Sequence, residues 1–289
     1  MDSHKHGSIT MAMIFLMSTL LAAYAPPTAE GATVVITDAV QVVNGGALNE
    51  RMAAMTADSE GNIHIVWSRN TQHLYYTMLD PRAQTVIDAT QISNSGAHRA
   101  WHPDIDIDSE DRVHVTWTDK ANQHTILYTL LDPSMDDQDG SVSDDSTLSI
   151  IDDTEVSRRQ QNRDWPAIAV DSQDNAHIVW EDSYDRHDKY FQQPQIYYKF
   201  LEIDLATREA ITAIDSTLLT PIIGHKGHPD IAVDADDLVQ IVWDDTRGGK
   251  VEFVAPIDTS GSMYSEWADM CTVFYGGSWS SSGSFIGIK

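Results

Sequence analysis

Cysteine is nearly absent. Cys271 is the single one, so no disulfide can close within the chain and no thiolate zinc site can be assembled. Basic residues are scarce too: eighteen Lys and Arg face forty-four Asp and Glu, a formal net charge of −26. A nucleic-acid surface needs clustered cations that displace counterions from phosphates, so that class of partner is excluded. An anionic membrane surface is excluded on the same ground. After the first thirty residues no segment is apolar enough to cross a bilayer.

The one long apolar stretch is N-terminal. Lys5 is followed by Met11–Met17 and by Leu20-Leu21-Ala22-Ala23, and Ala23-x-Ala25 supplies small residues at cleavage spacing. The pattern predicts a secretory signal peptide over residues 1–31. An uncleaved anchor over Ile9–Ala25 is the other reading, since that run is only slightly short of a span. Both place the chain outside the cytoplasm, secreted or at the cell surface.

What is abundant is self-similarity. Met52–Asp58, Pro103–Asp108, Pro166–Asp171 and Pro229–Asp234 each lead into a second segment, Ile63–Trp67, Val113–Trp117, Ala176–Trp180 and Val239–Trp243. In all four the Asp and the Trp stand nine residues apart, and the copies recur at intervals of 50, 63 and 63 residues. The first segment alternates and is β-branched, so it predicts a strand with Pro at its first position, where no ladder N–H is lost. Turn-formers follow the Asp, whose carboxylate can accept amides two residues on. The segment ending in Trp reads as a second, buried strand. Paired aromatics or aliphatics mark a third strand (Tyr75-Tyr76, Leu127-Tyr128, Tyr197-Tyr198, and more weakly Val251–Phe253). A fourth is marked by Val86–Ser93, Ile150–Ser157 and Ala213–Thr220, with Ile36–Val43 as its earliest copy. Four short strands every 50–60 residues predict an all-β chain, a β-propeller with four visible four-stranded repeats over 33–250, either a small ring or part of a larger one. Ile36–Val43 would then complete the last blade. The acidic loop Asp132–Asp153 and the aromatic-bearing segment Ser183–Gln195 vary between copies.

These hairpins, with a turn Asp and a Trp closing the second strand, resemble the sialidase-like, Asp-box repeats of β-propellers, although no copy fits S-x-D-x-G-x-T-W in full. The resemblance covers about 33–255 and implies a propeller. A second resemblance begins at Val251: the hydrophobic lead-in to Asp258-Thr-Ser260-Gly-Ser262-Met263 is similar to the first strand and metal loop of a von Willebrand factor A domain. It implies an incomplete α/β module over 251–289, with Asp258, Ser260 and Ser262 forming the first third of a site for Mg²⁺, or for Ca²⁺. The alternative is that Val251–Asp258 is simply the third strand of the fourth blade.

Candidate chemistry follows from position. His64, His114 and His177 share one repeat position with Gln240, which suits a buried hydrogen-bonding role. The residues just before the first strands, Arg51, Trp101, His102, Asp164, Trp165 and His228, would gather at one mouth and suit a glycan or protein ligand. No catalytic residue is assigned on this reading. The expectation is an extracellular, non-enzymatic recognition or adhesion protein. A sialidase-like glycoside hydrolase is the alternative, and it would need Arg51, Arg99 and Arg163 to converge on a carboxylate. Asp136–Gly140 departs from a calcium loop because Met135 occupies the first ligand position, so it reads as a solvated acidic loop.

Overall fold

The structure is a computed structural model that describes residues 39–43, 48–93, 99–121, 124–135, 148–157, 163–182, 194–220, 226–245 and, for the backbone, 250–258. All strands fall in the compact unit Val42–Lys289. The first sheet comprises β1 (Glu50–Ala57), β2 (Ile63–Arg69), β3 (His73–Leu79) and β4 (Thr85–Gln91). The second comprises β5 (Ala100–Ile107), β6 (Val113–Asp119), β7 (Thr125–Leu131) and β8 (Ser149–Glu155). The third comprises β9 (Arg163–Val170), β10 (Ala176–Asp182), β11 (Gln195–Asp204) and β12 (Glu209–Leu218), and the fourth β13 (Lys226–Val233), β14 (Leu238–Asp245) and β15 (Lys250–Asp258). Each is an antiparallel meander, a propeller blade. The first strands lie side by side in the order β1, β5, β9, β13.

The fourth blade has three strands among the described residues, where four were expected. Residues 39–43 carry no strand and 36–38 lie outside the described residues, as do the signal segment 1–31, the loops 136–147 and 183–193, Ser260, Ser262 and Cys271. Lys250–Asp258 pairs along β14, with Asp258 opposite Leu238. The strand that an A domain would need as its first is therefore already the third strand of this blade.

Blade packing follows from side-chain alternation. On β6, Val113, Val115 and Trp117 face the preceding blade and join Val66, Leu74 and Tyr76 in one cluster. Ile178 and Trp180 meet Ile126 and Tyr128 in the same way, and Ile241 and Trp243 meet Ile196 and Tyr198. All four repeat Trp are 5% exposed or less. Blade 1 has no described sheet before it: Met55 is 69% exposed, where Ile105, Ile168 and Ile231, at the same repeat position, are 6%, 4% and 8% exposed.

Two repeated polar devices fasten the blades. Within a blade, the turn Asp accepts the amide two residues on, as in Glu60 N to Asp58 Oδ1 (2.9 Å) and Gln173 N to Asp171 Oδ1 (2.9 Å). Its second oxygen takes the repeat His: His64, His114 and His177 Nε2 lie 3.2–3.3 Å from Asp58, Asp108 and Asp171. Their Nδ1 atoms lie 2.8–2.9 Å from the hydroxyls of Tyr76, Tyr128 and Tyr198. In the neutral ring, donation from Nε2 to the carboxylate leaves Nδ1 to accept from the tyrosine hydroxyl. Burial alone would raise these carboxyls, but the hydrogen bonds from turn and His outweigh it and hold them below the ordinary range. In blade 4, Gln240 Nε2 donates to Asp234 (3.0 Å) in place of His. The His are structural, as their position suggested.

Between blades, a Ser donates forward. Ser59, Ser109 and Ser172 each give a backbone N–H (2.9 Å) and a hydroxyl (2.7–3.1 Å) to the carboxylate of Asp111, Asp174 and Asp237 in the next blade. Each of these acceptors sits at a turn position of φ 59–65°, a left-handed conformation that Asp tolerates. Gly61 occupies that position in blade 1, at φ 83°, and Ala235 occupies the Ser position in blade 4.

Candidate active site

The first strands depart from expectation in a way that builds the site. Pro103, Pro166 and Pro229 do not begin their strands. β5, β9 and β13 start three residues earlier, and each Pro follows a bulge where the register slips, between Trp101 and Asp104 and between Gly227 and Asp230, with the matching slip opposite Val179 and Glu181. The residue before each Pro has positive φ: His102 (45°), Trp165 (51°) and His228 (47°), matched in blade 1 by Met52 (53°). A residue preceding Pro ordinarily stays extended, so sequence alone pointed to an unbroken strand. A non-glycine residue held at positive φ in every copy is strain that the surrounding ladder over-determines, and bulges of this kind re-aim side chains.

The re-aimed side chains meet. His102 stacks on Trp165 with centroids 3.6 Å apart and planes 15° apart, and Trp165 meets His228 edge-on at 4.6 Å. Trp101 packs edge-on against His102 at 5.6 Å. Lys120, in the turn after β6, places its Nζ 4.0 Å from the centre of the Trp101 ring. Trp165 remains 39% exposed, which leaves an aromatic surface to solvent. Five of the six proposed mouth residues thus form one contiguous group. Arg51 stands apart and donates from Nε to Asn49 Oδ1 (2.8 Å).

Asp164 is the polar centre. His102 Nδ1 lies 2.6 Å from its Oδ1 and Lys120 Nζ 2.6 Å from its Oδ2. Burial pushes this carboxyl up, but those two partners outweigh burial and hold it below the ordinary range. Directly across the ladder, as its register partner, stands Glu181. Burial and then the neighbouring Asp164 charge raise Glu181 to about 7, against the smaller opposing effect of His228, whose backbone N–H it accepts. Asp244 pairs with His228 Nδ1 at 3.2 Å. Two adjacent carboxyls are thereby driven apart, one charged and one carrying a proton near neutrality, which is how acid and base roles are divided in hydrolytic sites.

The sequence reading missed Glu181, Lys120 and Asp244. A signal was present: the residue after the repeat Trp is Ser68 or Thr118 in the first two blades but Glu181 or Asp244 in the last two. Two of the three arginines of the sialidase-type expectation are engaged separately: Arg51 with Asn49, and Arg163, buried, with Asp182 (2.8 Å). Lys226, their fourth-copy counterpart, is buried against Asp245. At the C-terminal end, Asp258 closes β15, and its two expected co-ligands, Ser260 and Ser262, lie outside the described residues. No group of three or more His, Cys, Asp or Glu suited to a metal occurs among the described residues.

No protein-family model matches the chain, and no curated protein matches it. It is similar to the solved structure of a thermostable family-43 glycoside hydrolase, at 11% identity and TM-score 0.46, over 75% of this chain and 72% of that one. It is similar also to an exo-1,5-α-L-arabinanase from a bovine ruminal metagenomic library, at 10% identity and TM-score 0.43, over 72% and 74%. A third is an ulvan lyase of polysaccharide lyase family PL25, at 10% identity and TM-score 0.44, over 72% and 58%. The expectation of a non-enzymatic recognition or adhesion protein is corrected on the site itself: its mouth holds a divided carboxyl pair where only a passive binding surface was foreseen.

Proposed function

We propose that this chain is an exported glycoside hydrolase whose reaction is carried by Glu181 and Asp164. The observation that carries the reading is their opposition across the β9–β10 ladder with divergent proton affinities. Glycosidic cleavage requires a carboxylic acid to protonate the departing oxygen and a second, ionised carboxylate to meet the positive charge that develops on the sugar. Glu181 holds a proton near pH 7 and can give it up. Asp164, fixed by Lys120 and His102, stays ionised beside it. Trp165 offers the exposed aromatic surface against which a sugar ring packs. The sialic-acid refinement is not carried forward, because Arg163 is committed to Asp182 and Arg51 to Asn49. Export rests on the apolar run and the Ala23-x-Ala25 pattern.

The test is turnover on a panel of aryl glycosides and dye-linked plant and algal polysaccharides. A general acid is worth about 10²–10⁴ in rate, so Glu181→Gln should lose that much kcat while still unfolding in one cooperative transition. Turnover by wild type that survives Glu181→Gln, or none on any substrate, would overturn the reading.

A further inference from the structure

Lys120 stands out among the charged groups at the mouth. It follows β6 in a turn where its own N–H donates to Arg99 O (3.0 Å), and the corresponding residue of the first repeat is Asn70. From blade 2 it reaches Asp164 of blade 3, with both side chains less than a fifth exposed. Its ammonium is held between the Trp101 ring, 4.0 Å away, and Asp164 Oδ2, 2.6 Å away. The other oxygen of Asp164 is taken by His102 Nδ1 (2.6 Å) and by the backbone N–H of Trp165 (3.1 Å). Each oxygen therefore has a partner, and that of Oδ2 is an ammonium group.

We propose that Lys120 is the positioning residue of the site: seated on Trp101, it fixes Asp164 as the charged carboxylate of the pair. This rests on the hydrolase reading for its purpose but not for its physics. Asp164 faces Lys120 and His102 from blade 2, His124 from the turn before β7, and Glu181 across its own blade. Glu181 faces Asp164 on β9, His228 on β13 and Asp244 on β14. Two carboxyls this close compete for one proton, and the competition is decided by whichever neighbour carries a cation. Of the two carboxyls, Lys120 pairs with Asp164. Removing its charge raises the proton affinity of Asp164.

The experiment is a carboxyl ¹³C NMR titration of the full chain without substrate, in wild type, Lys120→Met, Lys120→Gln and Lys120→Arg. Lys120→Met and Lys120→Gln should raise the apparent titration of Asp164 by roughly one pH unit. Lys120→Arg should restore the wild-type pattern. With a substrate in hand, the acid limb of kcat should move toward neutral pH in Lys120→Met while KM stays near wild type. A lysine that serves only to brace the blades would lower the melting temperature and leave the Asp164 titration in place, and that result would overturn the proposal. Because the titration uses no substrate, failure of the hydrolase reading would show separately, as absent turnover with the titration shifts intact.

Discussion

Asp164 and Glu181 face each other across the β9–β10 ladder because of a single extra residue. Ala167 pairs with Val179, and an unbroken ladder would set Trp165 opposite Glu181. The bulge slips the register by one, placing Asp164 there and turning Trp165 toward His102 and His228. Like charges set opposite in a sheet are costly, and the cost is relieved here by a proton on one of them.

That proton leaves a mark on stability. Folded Glu181 keeps it up to about pH 7, whereas its ordinary value is 4.5, so the folded chain binds more protons than the unfolded chain between those limits. The contribution of Glu181 to stability therefore falls as pH rises through that window. The difference in melting temperature between wild type and Glu181→Gln should drift steadily against wild type from pH 4.5 to 7 and level off above. A difference independent of pH would contradict the raised value.

The repeat tryptophans should behave as one class. Trp117→Ala, Trp180→Ala and Trp243→Ala each remove a buried ring between blades and should cost about 3–5 kcal/mol in urea denaturation. Trp165→Ala, at an exposed position, should cost far less and instead weaken substrate binding.

At the repeat His position, shape and hydrogen bonding can be separated. His177→Gln copies what blade 4 does with Gln240 and should be tolerated. His177→Leu strips the buried Asp171 oxygen and the Tyr198 hydroxyl of a shared partner, and should cost at least about 1–3 kcal/mol. Thermal melts of the two variants decide it.

The forward serine contacts make a directional prediction. Ser109→Ala should cost roughly 0.5–1.5 kcal/mol, the usual worth of a hydrogen bond. Ala235→Ser, in the blade with no described successor, should gain nothing. Equal and opposite effects at the two positions would mean that Ala235 has an acceptor after all.

Much of the architecture was legible because it rests on local chemistry repeated four times. Asp58, Asp108, Asp171 and Asp234 announced their turns, and Trp67, Trp117, Trp180 and Trp243 announced the buried strands, since turn capping and ring burial depend on neighbours in sequence. That Trp101, His102, Asp164, Trp165 and His228 come together was also legible, as the copies aligned them. What escaped depends on register. Proline at 103, 166 and 229 argues for extended backbone before it, so the positive φ of His102, Trp165 and His228 had no sequence mark. Without that bulge Glu181 has no reason to meet Asp164, and Lys120 reaches it only across a blade boundary. Arg51 was aligned by the same copies, and its Nε donates to Asn49, two residues away.

The serine-to-aspartate contacts have a polarity, like couplings that join only head to tail. Blades 2 and 3 carry both halves, blade 1 only the donor and blade 4 only the acceptor. An interior blade could therefore be duplicated or excised in frame and its neighbours would still engage, Ser109 meeting Asp237 if blade 3 were lost. Gly61 and Ala235, which carry neither group of the coupling, set those two positions apart from the rest of the described series.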